Sequence, residues 1–327
     1  MKKEMKNILV IGACGQIGSE LTPILRKRYG GENVVAADVK PPERPELRDS
    51  GPFYFMDITR RAALDVVIKK HNIDTIYNMA AILSATGEKN PLLCWDINMN
   101  GVINVLQCAI DYEMARVIIP SSIAAFGPDT PRVNTPNDTI LRPSTMYGVT
   151  KVCGERLCDY YVKRFGIDVR GLRYPGIISA ETLPGGGTTD YAVEIYYKAI
   201  SDGKYECFLS ENTMLPMMYM PDCIKATIDL AEADFAKLKH HNDFNLAAFS
   251  FTPAILAENI KKHIPKFSIS YKPDFRQQIA DSWPTSIDDA PAREEWGWKP
   301  DWTLETMTKD MLEKLGKRHK EGKLYSK

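Results

Sequence analysis

Gly12, Gly15 and Gly18 follow directly on an apolar run, 8–11, and open a stretch in which Ile17, Leu21, Ile24 and Leu25 recur at helical spacing. A strand, a glycine-lined turn and a helix in that order leave few folds open. So tight a turn excludes Cβ atoms, and the helix N-terminus then offers unpaired N–H groups to a pyrophosphate. A second apolar run, 33–37, ends at Asp38, about 20 residues after the last glycine, where dinucleotide-binding chains carry an acid. A carboxylate there accepts both ribose hydroxyls and repels a 2′-phosphate, so the pattern points to NAD rather than NADP. Lys40 pulls the other way, but the strand-end acid decides.

Strand-like runs at 6–12, 33–37, 53–56, 74–79, 116–120 and 168–173 alternate with helical patterns at 16–28, 60–71, 91–113 and 144–165. Residues 41–52, rich in proline and charge, read as a loop. The alternation predicts an α/β chain: a Rossmann-type doubly wound parallel sheet with right-handed crossovers. After Pro175 the rhythm changes. A glycine- and threonine-rich loop at 183–190 leads into helical patterns at 192–202, 222–234, 252–263 and 303–315. Residues 1–175 are therefore expected to form the NAD-binding domain, joined by segments returning from the second half. Residues 176–327 are expected to form a smaller α/β substrate lobe over the C-terminal edge of the sheet.

Composition removes several alternatives. Lys plus Arg and Asp plus Glu both number 42, so the net charge is zero, which argues against a nucleic-acid binder or a polybasic membrane-surface protein. No apolar run has the length of a membrane span, and 1–7 does not resemble a secretory signal. The seven cysteines are dispersed without a C-x-x-C pair, and none is spaced with the five histidines as a zinc site requires. No metal is expected. Reduced thiols fit a cytoplasmic protein, or one of the mitochondrial matrix in a eukaryotic source.

Ser121 and Ser122 end the buried run 117–120, and Tyr147 and Lys151 stand at Y-x-x-x-K on a helical pattern. The i, i+4 spacing puts both side chains on one helix face. A free tyrosine, with a pKa of about 10, is a poor base. A neighbouring ammonium favours the phenolate, which can then take a proton from a substrate hydroxyl while hydride leaves the same carbon. Ser122 is placed to hold the reacting oxygen, and Lys151 to hold the nicotinamide ribose.

These residues, with Asp57, Met79-Ala80-Ala81 and Arg173-Tyr174-Pro175-Gly176, resemble the extended short-chain dehydrogenase/reductase superfamily over essentially the whole chain. The resemblance implies Gln16 and Ile17 at the pyrophosphate and Asp57 and Ile58 at the adenine. It implies Ala80 and Ala81 in the cofactor groove, Asn98 and Ser121 also at the cofactor, and Tyr174 and Pro175 at the nicotinamide end. The stretches at 12–18, 120–127, 174–179 and 283–289, and above all Gly-Gly-Gly-Thr-Thr-Asp-Tyr-Ala at 185–192, resemble a narrower group, the short-chain L-threonine 3-dehydrogenases. That likeness implies oxidation of the 3-hydroxyl of L-threonine to 2-amino-3-oxobutyrate, with Ser122, Tyr147 and Lys151 catalytic. Ser84, Gly186, Thr188, Thr189 and Trp283 become candidates for the substrate pocket. Glycine amides and threonine hydroxyls suit a small zwitterion, and no Lys or Arg lies between Glu181 and Glu194 to meet two phosphates. The alternatives are a 4-epimerase of nucleotide sugars that retains its NAD, and a non-catalytic NAD-sensing protein. A dehydratase would need an acid pair where Ile123 and Ala124 stand. By the same resemblance, helices 91–113 and 144–165 are expected to pair in a homodimer.

Overall fold

The run Ile8–Ile11 is buried on both faces and forms β1, near the centre of a six-stranded parallel sheet. The structure is a computed structural model and describes residues 4–325. Around β1 stand β2 (Val34–Asp38), β3 (Phe53–Phe55), β4 (Thr75–Asn78), β5 (Arg116–Ile118) and, after the pair Ser121–Ser122 (β6), the short β7 (Val169–Arg170). Their order is β3-β2-β1-β4-β5-β7, with Ile8 in register with Val34 on one side and Thr75 on the other. The strand order reverses between β1 and β4. In open α/β sheets such a reversal opens a crevice at the carboxyl ends of the strands.

Helices cover both faces: α1 (Gly18–Tyr29), the single turn α2 (Pro45–Arg48), α3 (Arg61–His71), α4 (Ser84–Lys89), α5 (Pro91–Trp95), α6 (Gly101–Asp111) and α7 (Met146–Phe165). Leu64, Val67, Val105, Leu106, Cys158 and Tyr161 fill the core on the α3–α6–α7 face. The expected single helix 91–113 is interrupted. A π-helical turn, Asp96–Asn100, separates α5 from α6, and within it the Asn98 amide turns to Ile82. The expected loop 41–52 contains α2, opened by Pro45 at its first position.

The expected strands 116–120 and 168–173 both break. Residues 169–170 stay in the central sheet, whereas Leu172–Tyr174 (β8) pairs with β6 and with Phe244–Asn245 (β12). Gly171 is the break point. A Cβ there would lie 2.3 Å from the Ile119 carbonyl oxygen and 2.7 Å from that of Asn242, so only glycine lets the chains approach closely enough to turn.

The second half adds β9 (Gly176–Ile178), α8 (Tyr191–Ser201), β10 (Lys204–Cys207), β11 (Leu215–Tyr219) and α9 (Met220–Glu232). After β12 come β13 (Phe249–Phe251), α10 (Pro253–Lys261), β14 (Ser268–Tyr271), α11 (Arg276–Asp281), α12 (Ala290–Trp296) and α13 (Leu304–Lys320). The short helices α11 and α12 carry too few turns to show a period in the sequence. A separate core holds Tyr196, Leu256, Met307 and Met311 and reaches Tyr147. The helix α9 instead returns to the first half, where Cys223, Ile224 and Ile228 share a core with Leu21 and Leu25 of α1. All seven cysteines are free. Among the described residues no helix is long and apolar enough to cross a membrane.

Candidate active site

The glycine loop leaves β1 with its amides anchored to β2: Gly12 N and Ala13 N donate to Ala37 O at 2.9 and 3.1 Å. Gly12 has φ +78°, and a Cβ there would lie 2.5 Å from Ala80 N. Gly18 has no room either, 2.2 Å from Gly12 O, whereas a Cβ on Gly15 would meet only that carbonyl, at 3.2 Å. Gly12 and Gly18 thus serve close packing, and Gly15 keeps the outer face of the turn open ahead of α1. The amides at the start of α1 are those a helix cannot pair internally. Asp38 ends β2 with Oδ2 accepting from Cys14 N at 2.8 Å and Oδ1 from Lys40 N at 3.0 Å. The open turn, the helix N-terminus and this oriented carboxylate fit a dinucleotide. Gly12→Ala is expected to cost about 2 kcal/mol or more and to weaken NAD binding, read as a fall in Tm and in fluorescence titration with NAD.

Asp57 follows β3, and its Oδ1 accepts from Thr59 N and Oγ1 at 2.9 and 2.8 Å. Ile58 is buried beside Gly101. Ala80, Ala81, Asn98, Ser121 and Lys151 line one cleft. Two of these have their polar side-chain atoms engaged elsewhere. Asn98 accepts from Ile82 N and donates to Ile82 O and Thr150 Oγ1. The Ser121 hydroxyl donates to Glu155 Oε1 at 2.5 Å. Tyr174 likewise shares its hydroxyl with Thr227 at 2.5 Å. These three residues can meet a cofactor only through backbone, ring or remaining lone pairs.

Thr145 caps α7, accepting from Gly148 N at 3.1 Å, and so sets Tyr147 in the first helical turn. Tyr147 is 8% exposed, and the nearby Ser122 hydroxyl favours its phenolate. Ser122 Oγ accepts from Ala124 N at 3.2 Å, which fixes its direction. Lys151 Nζ donates to Pro120 O at 2.8 Å and lies 5.4 Å from the Tyr147 ring centroid. Burial pushes Tyr147 up to about 12, opposed by the Ser122 hydroxyl. Burial also brings Lys151 down to about 8. Burial of the phenol is the largest influence on Tyr147, and it raises the pKa because it disfavours the phenolate.

The glycine-rich loop departs from expectation. Gly187 N donates to Asp190 Oδ2 at 2.8 Å, and the backbone of Gly185, Gly186 and Gly187 offsets part of the burial that raises the Asp190 pKa. Asp190 thus takes the Gly187 amide, one of the backbone donors of this loop. Gly186, at φ +87°, is exposed and has no neighbour where a Cβ would stand. Thr188 is buried with its hydroxyl 3.2 Å from that of Ser84, while Thr189 packs its methyl on Gly176. Trp283 is buried among apolar side chains of the second-half core, the ordinary place for a large aromatic ring. The sequence reading did not single out Glu155 or the anchoring role of Asp190. A signal for Glu155 was present: it continues the tyrosine–lysine pair at the next i+4 position.

The family model of the NAD dependent epimerase/dehydratase family matches residues 8–247. The chain belongs to that family. An uncharacterized epimerase/dehydratase of Staphylococcus saprophyticus is 50% identical over 317 residues, spanning 97% of this chain and 99% of that one. Among solved structures, the L-threonine dehydrogenase of Clostridium difficile shares 50% identity at a TM-score of 0.94, over 97% of this chain and 99% of that one. The GalE-like L-threonine dehydrogenase of Cupriavidus necator, in its holo form, shares 49% at 0.92, over 94% and 99%. A monomeric L-threonine 3-dehydrogenase from a metagenome shares 48% at 0.91, over 95% and 99%. This chain is an NAD-dependent oxidoreductase with a short-chain dehydrogenase/reductase fold.

Proposed function

We propose that the protein oxidises the 3-hydroxyl of L-threonine to 2-amino-3-oxobutyrate. The observation that carries this reading is the Ser122–Tyr147–Lys151 group facing a second half whose loop offers hydroxyls, Thr188 beside Ser84, and no cation. The end-to-end likeness to L-threonine dehydrogenases supports it.

Gly12, Gly15, Gln16, Ile17 and Gly18 would hold the pyrophosphate, Asp38 the adenosine ribose, and Asp57 with Ile58 the adenine. Ala80 and Ala81 would line the groove, with Asn98 and Ser121 behind it and Tyr174 and Pro175 at the nicotinamide end. Bound NAD supplies the hydride acceptor. The threonine hydroxyl sits between Ser122 and Tyr147. Ser122 Oγ, already held by Ala124 N, orients that oxygen. Tyr147, as phenolate, takes the hydroxyl proton, and Lys151 counters the phenolate charge. Ser84 and Thr188 meet the polar groups of the amino acid. Thr189 and Gly186 shape the loop, and Trp283 backs the pocket from the core.

Purified protein, NAD and a panel of L-threonine, D-threonine, L-allo-threonine, L-serine and UDP-sugars test the reading through NADH absorbance. NADH from L-threonine is the expected outcome. The family's epimerase members favour a second reading, a nucleotide-sugar 4-epimerase. Interconversion of a UDP-sugar without net NADH, and no turnover of amino acids, would replace the first reading with it.

The homodimer is proposed from an apolar face on α5, α6 and α7. Leu92 is 85% exposed, and Leu93, Trp95, Ile103 and Tyr160 on the same three helices are exposed as well. Large exposed apolar side chains on adjoining helices suit burial against a second copy of the chain. Sedimentation equilibrium is expected to give twice 36.9 kDa, reduced to one chain by Leu92→Glu with Tyr160→Glu. A wild-type monomer at micromolar concentration would refute the dimer and align the chain with its monomeric relative.

A further inference from the structure

Glu155 is 2% exposed and stands one helical turn beyond Lys151 on α7. A buried carboxylate survives only with partners, and its partners come from the strands that border the reacting groups. Ser121 Oγ donates to Oε1 at 2.5 Å, and Arg173 donates through Nε to Oε1 at 2.8 Å and through Nη2 to Oε2 at 2.7 Å. Ser121 precedes Ser122, and Arg173 precedes Tyr174. One side chain thus joins α7, β6 and β8 where the proposed chemistry takes place.

We propose that Glu155 is a positioning residue for the reaction: its carboxylate keeps Lys151 an ammonium beside Tyr147 and, through Ser121 and Arg173, fixes the strand ends that carry Ser122 and Tyr174. The proposal rests on the roles given above to Ser122, Tyr147 and Lys151.

The charge arm follows from the surroundings of Lys151. Its ammonium faces Tyr147 and Cys158 on its own helix and Cys94 from α5. Among the groups that favour its charged form Glu155 ranks first, against the burial that brings it down to about 8. Arg173 also faces Asp243, at 3.6 Å, and the exposed Arg156 lies 3.7 Å from Glu155. The ion pair with Arg173 is therefore shared, and the Glu155 charge still acts on Lys151. The geometric arm follows from the short Ser121 bond, which leaves β6 little freedom to turn Ser122 away from Tyr147.

The test is the pH dependence of kcat/KM for L-threonine in Glu155→Gln. A base that must be ionised beside an ammonium gives a profile that rises with pH and levels off at the ammonium's pKa. Without the Glu155 charge, Lys151 loses its proton earlier. The levelling point is expected to move down by about one pH unit and the plateau to fall about tenfold, with NAD affinity retained. A folded Glu155→Gln with the wild-type levelling point and plateau overturns the proposal. Should that variant fail to fold, Ser121→Ala decides, because it removes the strand bond and leaves the ion pair in place. Its expected outcome is a kcat several-fold lower, with KM and the levelling point unchanged; an unchanged kcat overturns the proposal. Wild-type protein inert toward the whole substrate panel would sink the underlying reading instead, a result distinct from either variant's.

Discussion

Tyr147→Phe is expected to lower kcat for L-threonine by about 10²–10⁴-fold, the usual contribution of a positioned acid–base group, with NAD affinity and Tm near wild type. The ring stays in its apolar setting beside Cys94, Ile123 and Ala124. Ser122 keeps its bond from Ala124 N, so the site should retain its shape and lose only the proton acceptor. The pH dependence follows from the two buried groups. Tyr147 is pushed up to about 12 and Lys151 brought down to about 8. The phenolate fraction grows tenfold per pH unit throughout the range below the higher value. The ammonium fraction stays whole until the lower value and then falls at the same rate. The product rises with pH to about 8 and is then level. Steady-state kinetics across pH 6–10 check both points. A Tyr147→Phe enzyme within threefold of wild type would remove Tyr147 from the role of base.

Arg170→Met is expected to cost about 3–5 kcal/mol of stability, the range for breaking a buried ion pair, and about 5 °C in Tm. Arg170 is 0% exposed. Its Nη1 donates to Leu230 O, Ala231 O and Ala233 O at 2.6, 3.2 and 2.8 Å, and its Nε and Nη2 hold Asp168 at 2.7 and 2.8 Å. The last carbonyls of α9 have no partners within their own helix, and Arg170 with Arg116 supplies them. Methionine would fill the stem volume but remove the arginine donors from Leu230 O and Ala233 O and take away part of the Asp168 pairing, while Arg116 keeps Ala231 O. None of these atoms touches Ser122, Tyr147 or Lys151, so kcat measured well below the new Tm should stay within twofold. Denaturant unfolding followed by kinetics separates the two effects. A variant with wild-type stability would show that α9 is held by its apolar face alone.

Much of the fold was legible because its rules are local. A strand, a glycine turn and a helix follow within 8–29, and sterics inside that stretch fix the turn: Gly12 at φ +78° against Ala80 admits no other residue. Asp38 reads directly as a strand-end acid, and Tyr147 and Lys151 share a face because a helix repeats every 3.6 residues. Alternating periods were enough to predict the parallel sheet, since a parallel crossover needs a helix and turns right-handed. Boundaries were less legible. The breaks after Ile118 and at Gly171 depend on how closely two chain segments approach, and the π turn at Asp96–Asn100 accompanies the fit of one side chain, Asn98, to Ile82.

The glycine turn, the strand-end acid that selects NAD and the shared face of Tyr147 and Lys151 were all legible in local pattern. Each follows from a local rule: the sterics of a tight turn, an acid at a strand end, or the period of a helix. The tertiary structure alone decided which polar groups meet across the chain. Asp190 takes the Gly187 amide, Glu155 binds Ser121 across 34 positions, and Arg170 reaches 60 positions to the end of α9. Periodicity tells which face of an element is buried. It cannot tell which buried donors and acceptors remain unpaired after packing, and those leftovers select the long-range partners.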